Sequence, residues 1–196
     1  MQHRPDGWAP VHSYADGAEA TEGIAASSPV PVEYERRFIV RDCSILDGAP
    51  YVQIEQGYLW DRDGYAIRVR IVCGSTLEAA PERVGGADFA EFALKGPRAN
   101  ASRFELEQPL PVEIARDLVR LSEHKVVKRR YSINDGGNDW TIDEFFGDNA
   151  GLIIAEFESS EADVHQLVPP AWVGEEVTDD RRYDNEQLAR HPIHTP

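Results

Sequence analysis

The chain has 196 residues, enough for one domain with a substantial core and too few for two of ordinary size. Its 35 acidic and 20 basic residues leave a formal net charge of −15, which excludes broad binding to a nucleic-acid backbone or an anionic membrane surface. A phosphate site in such a chain has to be a local concentration of cations inside an acidic shell.

Residues 1–30 are rich in Ala, Gly, Ser and Pro, lack a hydrophobic period and carry more acid than base, which predicts a disordered acidic extension. No apolar leader follows Met1 and no run is long enough to span a membrane, so a cytoplasmic location is expected. Cys43 and Cys73 have no metal-ligand spacing and are expected as free thiols. From Val32 the pattern changes. Val32–Val40 reads as a strand with Glu33, Glu35 and Arg37 on one face and Val32, Tyr34, Phe38 and Val40 on the other. The alternation returns over 67–71 with Arg68 and Arg70, over 89–95 with Glu91 and Lys95, and over 103–107 with Arg103, Glu105 and Glu107. It returns again over 126–131 with Lys128 and Arg130, over 140–145 with Asp143, and over 152–158 with Glu156 and Glu158. Turn signals such as Asp63-Gly64, Lys95-Gly96-Pro97 and Asp135-Gly136-Gly137 separate these segments.

One strand of this kind is ordinarily half-buried with a solvated face. Here the charges are sorted by strand: Arg68/Arg70 and Lys128/Arg130 are cationic pairs, Glu33/Glu35 and Glu156/Glu158 anionic pairs. A lumen that grips a polyanion through cations and metal ions needs both kinds. The pattern therefore predicts a closed barrel with charged faces inward and apolar faces outward, where helices cover them. Helices are expected over 111–124, with Ile114, Leu118 and Leu121 at helical spacing, over 160–167 behind Ser160, and over 184–190. The last can lie across one barrel mouth, with Arg181 or Arg182 reaching inward. Each charge also has a structural reading: Glu105 and Glu107 as partners of lumen cations, Lys128 and Arg130 as partners of Glu91 or Glu107, Tyr58 as packing.

Glu33-Tyr34-Glu35-Arg36-Arg37 resembles the ExExK signature of the CYTH superfamily, the triphosphate tunnel metalloenzymes, and Gln56-Gly57-Tyr58-Leu59 resembles the QGYL that follows it. Arg68-x-Arg70, Lys95, Arg103-x-Glu105-x-Glu107, Lys128-x-Arg130, Asp143 and Glu156-x-Glu158 match the family's charged strand positions in order. Residues 174–185 resemble the GxEVTxDxRYxN run of its bacterial members. The resemblance implies an α+β, mainly β fold: an eight-stranded antiparallel closed barrel, a tunnel with a charged lumen and a few flanking helices, over 31–190, with 191–196 as a tail. It implies hydrolysis of inorganic triphosphate or a related short-chain substrate with Mg²⁺ or Mn²⁺. Glu33, Glu35, Glu105, Glu107, Asp143, Glu156 and Glu158 would hold metal. Arg37, Arg68, Arg70, Lys95, Arg103, Lys128, Arg130 and Arg181 would grip phosphates. Glu33, Glu35, Lys128 and Tyr58 would serve catalysis. Two positions depart from the family: Arg37 and Arg181 stand where Lys is usual. A guanidinium keeps the charge but is a wider, planar fork. Cyclisation of ATP, as in some family members, is disfavoured because Ser27 to Val32 lacks the His-Phe pair those members carry upstream of the signature. A non-catalytic polyphosphate or nucleotide binder is disfavoured by the carboxylates, which a pure anion binder does not need.

Overall fold

The computed structural model describes residues 32–74, 88–98 and 101–193. The N-terminal extension expected from composition lies outside them. The barrel is built from β1 (Val32–Val40), β2 (Tyr51–Arg62), β3 (Tyr65–Cys73), β4 (Phe89–Lys95), β5 (Ser102–Leu110), β6 (His124–Asp135), β7 (Asn138–Phe146) and β8 (Ile153–Ser159). They are hydrogen-bonded in the order β5-β4-β3-β2-β6-β7-β8-β1, and β1 returns to β5, so eight antiparallel strands close on themselves. The register sets Glu35 opposite Glu158, Arg37 opposite Glu156, and Lys95 opposite Glu105.

One edge of β1 is shared. Its first residues, Val32 to Tyr34, pair with β5, and Phe38 and Val40 pair with β9 (Val173–Glu176). Between them the Glu35 N–H donates to the Ala101 carbonyl at 2.8 Å and the Arg37 N–H to Thr178 Oγ1 at 3.0 Å. The Arg37 carbonyl accepts from the Val177 N–H at 2.8 Å. The backbone polar groups along this edge thus find partners, as burial demands.

Much of the outward surface is apolar and covered. Phe38, Tyr131, Trp140, Ile142 and Phe157 pack beneath α2 (Glu161–Gln166) and β9, with Trp172 edge-on to Trp140 at 5.0 Å between ring centroids. Val69, Ile71 and Ala90 pack beneath α1 (Val112–Leu121). The third core lies inside the barrel. Val126, Phe145 and Ile154 point inward at one end and receive Leu188 from α3 (Asn185–Arg190). The C-terminal helix therefore closes that end with an apolar plug, and the lumen is charged only beyond it. No helix among the described residues is long and apolar enough to cross a membrane.

Two sequence expectations need correction here. The face of α1 that packs is Ala115 and Val119, while Ile114 and Leu121 stay exposed. Small side chains win because α1 runs close to the barrel. A Cβ built on Gly57 of β2 would lie 2.4 Å from Ser122 Oγ and 3.3 Å from Val119 Cα. The second is β2 itself, which the charged alternation did not mark. Its inward Ile54, Gln56 and Tyr58 carry no charge, and a bulge between Tyr58 and Trp60 breaks the period. Gly57→Ala should lower stability by about 1–3 kcal/mol, the usual cost of overpacking, with the β2 site residues intact. Thermal melting checks this, and an unchanged midpoint would show that α1 does not press on β2.

Candidate active site

The lumen beyond the apolar plug is a cavity of about 200 Å³. Its wall is supplied by Glu33, Glu35 and Arg37 of β1, Gln56 and Tyr58 of β2, Arg68 and Arg70 of β3, and Lys95 of β4. Arg103, Glu105 and Glu107 come from β5, Lys128 and Arg130 from β6, and Glu156 and Glu158 from β8. Arg98, from the β4–β5 connection, and Asn185 and Glu186 of α3 complete it. The strand period brings together every site residue expected from sequence except Asp143 and Arg181.

The charges are organised by pairing. Arg68 Nη2 lies 3.2 Å from Glu91 and 2.5 Å from Glu107, and Arg70 Nη2 pairs with Glu91. Lys95 pairs with Glu105. Burial, with the neighbouring Arg68, lowers the pKa of Arg70 to about 10. On the opposite wall the Asp143 carboxylate accepts from Lys128 Nζ at 2.6 Å and from Arg130 Nε and Nη2 at 2.8 and 2.7 Å. Burial opposes that charge, but Arg130 and Lys128 more than offset it and hold Asp143 well below the usual carboxylate range. Asp143 is 1% exposed and sits behind the two cations. Lys128 and Arg130 thus pair with Asp143 rather than with Glu91 or Glu107, and Asp143 is their counter-ion, its oxygens already engaged. Lys128 also donates to Asn185 Oδ1 at 3.1 Å, and burial lowers its pKa to about 8 despite Asp143.

Arg37 is 2% exposed and spends its fork on the C-terminal segment. Nη1 donates to the Tyr183 carbonyl at 2.8 Å, and Nη2 to the Thr178 carbonyl at 3.0 Å and to Asp184 Oδ1 at 2.7 Å. The planar guanidinium spans these three acceptors and ties down the segment that carries α3. Only Nε, buried and unpartnered, remains free of this work. Arg181 is 68% exposed and lines a separate cleft of about 180 Å³ with Arg98, Arg103 and Asp179. Arg182 pairs with Asp180 at 2.5 Å. Neither reaches into the main cavity, because the 3-10 turn over 181–183 directs them to solvent while its Tyr183 carbonyl faces Arg37.

The carboxylates nearest β1 behave differently from Asp143. Burial, a hydrogen bond with Glu105 and the charge of Glu158 push Glu33 up to about 9 even though Lys95 opposes this, so the Glu33–Glu105 pair shares one proton. Burial and neighbouring carboxylates also raise Glu156 and Glu158. Glu35 is the exception: burial works against its charge, but Arg98 and Arg37 prevail and lower its pKa. Among the described residues no three His, Cys, Asp or Glu side chains gather at metal-binding spacing. The donor set is nonetheless of the kind a hard divalent cation takes, which needs only one or two carboxylates when phosphate oxygens complete its shell. The crowded, proton-binding carboxylates of Glu33, Glu156 and Glu158 fit that use. Tyr58 is buried, accepts a hydrogen bond from Gln56 Nε2 at 2.8 Å and has its pKa raised by burial and Glu186, so it stays a neutral phenol with its own proton to give.

Six guanidinium nitrogens of the lining arginines are buried without a hydrogen-bond partner: the Nε atoms of Arg37, Arg68, Arg70, Arg98 and Arg103, and Nη1 of Arg98. Buried donors are ordinarily paired, so this concentration on one cavity marks a site built for an acceptor-rich anion. Sequence reasoning missed Arg98, Glu186 and Asn185. Arg98 follows Gly96-Pro97 in a connection where no strand period applies. Asn185 and Glu186 lie at the end of the 174–185 run and just past it, where the sequence shows a helix start and not a direction.

No protein-family model matches the chain. The inorganic triphosphatase of Acetivibrio thermocellus is 33% identical over 162 residues, which cover 82% of this chain and 94% of that protein. The inorganic triphosphatase of Nitrosomonas europaea is 31% identical over 161 residues, covering 80% and 96%. A crystal structure of an inorganic triphosphatase aligns with a TM-score of 0.54 at 31% identity, over 80% of this chain and 93% of that one. With the signature residues gathered on one lumen and relatives matched along nearly their whole length, the chain belongs to the CYTH superfamily, the triphosphate tunnel metalloenzymes.

Proposed function

We propose that this protein hydrolyses inorganic triphosphate, or a related short-chain phosphoanhydride, inside the barrel with Mg²⁺ or Mn²⁺. The observation that carries this reading is the set of six buried, unpartnered guanidinium nitrogens around one polar cavity. Triphosphate is a compact chain of acceptor oxygens with charge along its length. Arg68, Arg70, Arg103 and Arg130 offer it forked, charge-assisted bonds, and Lys95 and Lys128 offer point charges. Glu33, Glu35, Glu156 and Glu158 are the residues that would hold the divalent cation. When bound, such an ion polarises a phosphoryl oxygen and lowers the pKa of water.

The chain's own groups supply the rest. The cations hold the phosphates in a fixed line, which turns the attack of water on the terminal phosphorus into a positioned event. Glu35 keeps its negative charge because Arg98 and Arg37 lower its pKa, so it can orient that water. Lys128, near pKa 8 and oriented by Asp143 and Asn185, can give a proton to the oxygen that leaves with pyrophosphate. Tyr58 can donate its phenol hydrogen to a phosphate oxygen. The barrel wall keeps bulk water away, which strengthens each of these interactions.

Phosphate release from inorganic triphosphate, with Mg²⁺ and Mn²⁺ run in parallel, is expected for the wild type and not for Glu35→Gln. Tight triphosphate binding with no release under either ion would make the protein a binding module. Arg68→Ala should weaken triphosphate binding roughly ten- to a hundredfold, the scale of one charge-assisted hydrogen bond; kinetics like those of the wild type would place Arg68 outside the substrate contacts. The pH profile has a defined sign. Lys128 is charged below about 8 and neutral above, so kcat/KM should fall on the alkaline side near that value. Lys128→Arg keeps the charge but does not release its proton in this range, so this limb should disappear while kcat falls. A limb that stays in place assigns the loss to another group.

A further inference from the structure

Arg98 differs from the other cations lining the cavity because no strand carries it. It lies on the β4–β5 connection, pinned on one side by the Gly96 N–H donating to the Phe104 carbonyl at 2.8 Å. On the other side the Ala101 carbonyl accepts from the Glu35 N–H at 2.8 Å. The Arg98 side chain is 10% exposed, pairs through Nη2 with Glu35, and has Nε 3.8 Å from Asp184. Its Nε and Nη1 are buried beside the cavity without partners. A guanidinium with two uncommitted buried donors suits an anion bearing several oxygens.

Arg98 and Arg37 share the same two acids in opposite proportion. Arg37 is 2.7 Å from Asp184 and stands off Glu35 at 3.7 Å. Arg98 is hydrogen-bonded to Glu35 and stands off Asp184. If Arg98 turned toward a ligand, Asp184 would keep its bond to Arg37 and the C-terminal segment would stay in place. Glu35 would lose its hydrogen-bonded cation and keep Arg37 Nε at 3.7 Å, with Lys95 and Arg103 as further neighbouring charges. The arrangement releases one acid and not the other.

We propose that Arg98 is a phosphate-operated gate on Glu35. Without an anion its guanidinium neutralises Glu35 and makes that carboxylate a poor ligand for a cation. A phosphate entering the cavity competes for the guanidinium, and the oxygens of Glu35 become available to the divalent ion. The anion and the cation then bind with positive coupling, each tightening the other by the same factor, as linkage requires. The proposal rests on the metal-dependent hydrolysis proposed above.

The test is Mn²⁺ alone titrated into the substrate-free full chain, followed by electron paramagnetic resonance, for wild type, Arg98→Ala and Arg98→Lys. Thermal melting runs alongside. Arg98→Ala should bind Mn²⁺ about tenfold more tightly than wild type, the scale on which losing one charge-assisted bond frees a carboxylate. With the metal chelated, the same variant should bind inorganic triphosphate about tenfold more weakly. Arg98→Lys should fall between. If Arg98→Ala melts far below wild type, Arg98→Gln, which keeps much of the side chain's length, carries the comparison. Unchanged or weaker Mn²⁺ binding in the variant, with triphosphate hydrolysis intact in the wild type, overturns the gate and leaves the hydrolase standing. A wild type that neither binds Mn²⁺ nor releases phosphate overturns both.

Discussion

A charge inside a narrow barrel has little water to solvate it, and its energy there depends on an opposite charge within reach. That constraint organises this protein. Asp143 is tolerable at 1% exposure because Lys128 and Arg130 surround it, and Lys128 and Arg130 are tolerable because Asp143 lies between them. Arg68 and Arg70 depend on Glu91 and Glu107 in the same way. Since the inward faces hold charge, the apolar faces must bury themselves outside, under α1, α2 and β9. The apolar patch turned inward around Val126 and Phe145 is stable because α3 brings Leu188 to cover it.

The pairing is not uniform, and its unevenness separates structural charges from available ones. Asp143 has a depressed pKa and three short hydrogen bonds, so it is fully committed. Glu33, Glu156 and Glu158 have raised proton affinity, because burial and mutual repulsion outweigh the cations near them. The arginines show the same division within single side chains. In Arg37, Arg68 and Arg70 a terminal nitrogen is bound while Nε is not. One wall therefore retains capacity for anions and another for cations, inside a single cavity.

Most of this was legible in the sequence because strands place alternate residues on one face, and the charges lie in the alternate positions. Glu33, Arg68, Lys95, Arg103 and Glu158 could be assigned to the lumen without coordinates. What period cannot show is how two lumen charges divide the work. Arg37 and Asp143 look like ligands in the pattern, yet one holds the C-terminal segment and the other holds two cations. β2 was obscured because its inward side chains are uncharged, and Arg98 because a turn has no period. On α1 the spacing of Ile114 and Leu121 misled, since close approach at Gly57 favours the smaller Ala115 and Val119.

The shared edge of β1 has a consequence for the order in which the protein is made. β1 pairs with β5, β8 and β9, of which the earliest in sequence begins at Ser102. The strand bearing Glu33, Glu35 and Arg37 is therefore made before any strand it pairs with, and waits first for β5 and then for β8 and β9. Its last partners, β9 and the segment that Arg37 grips, are close to the C-terminus. Closure from so great a sequence separation is slow compared with hairpin pairing. A nascent chain that has not reached β9 thus carries the charged strands without the pairing that completes the second edge of β1.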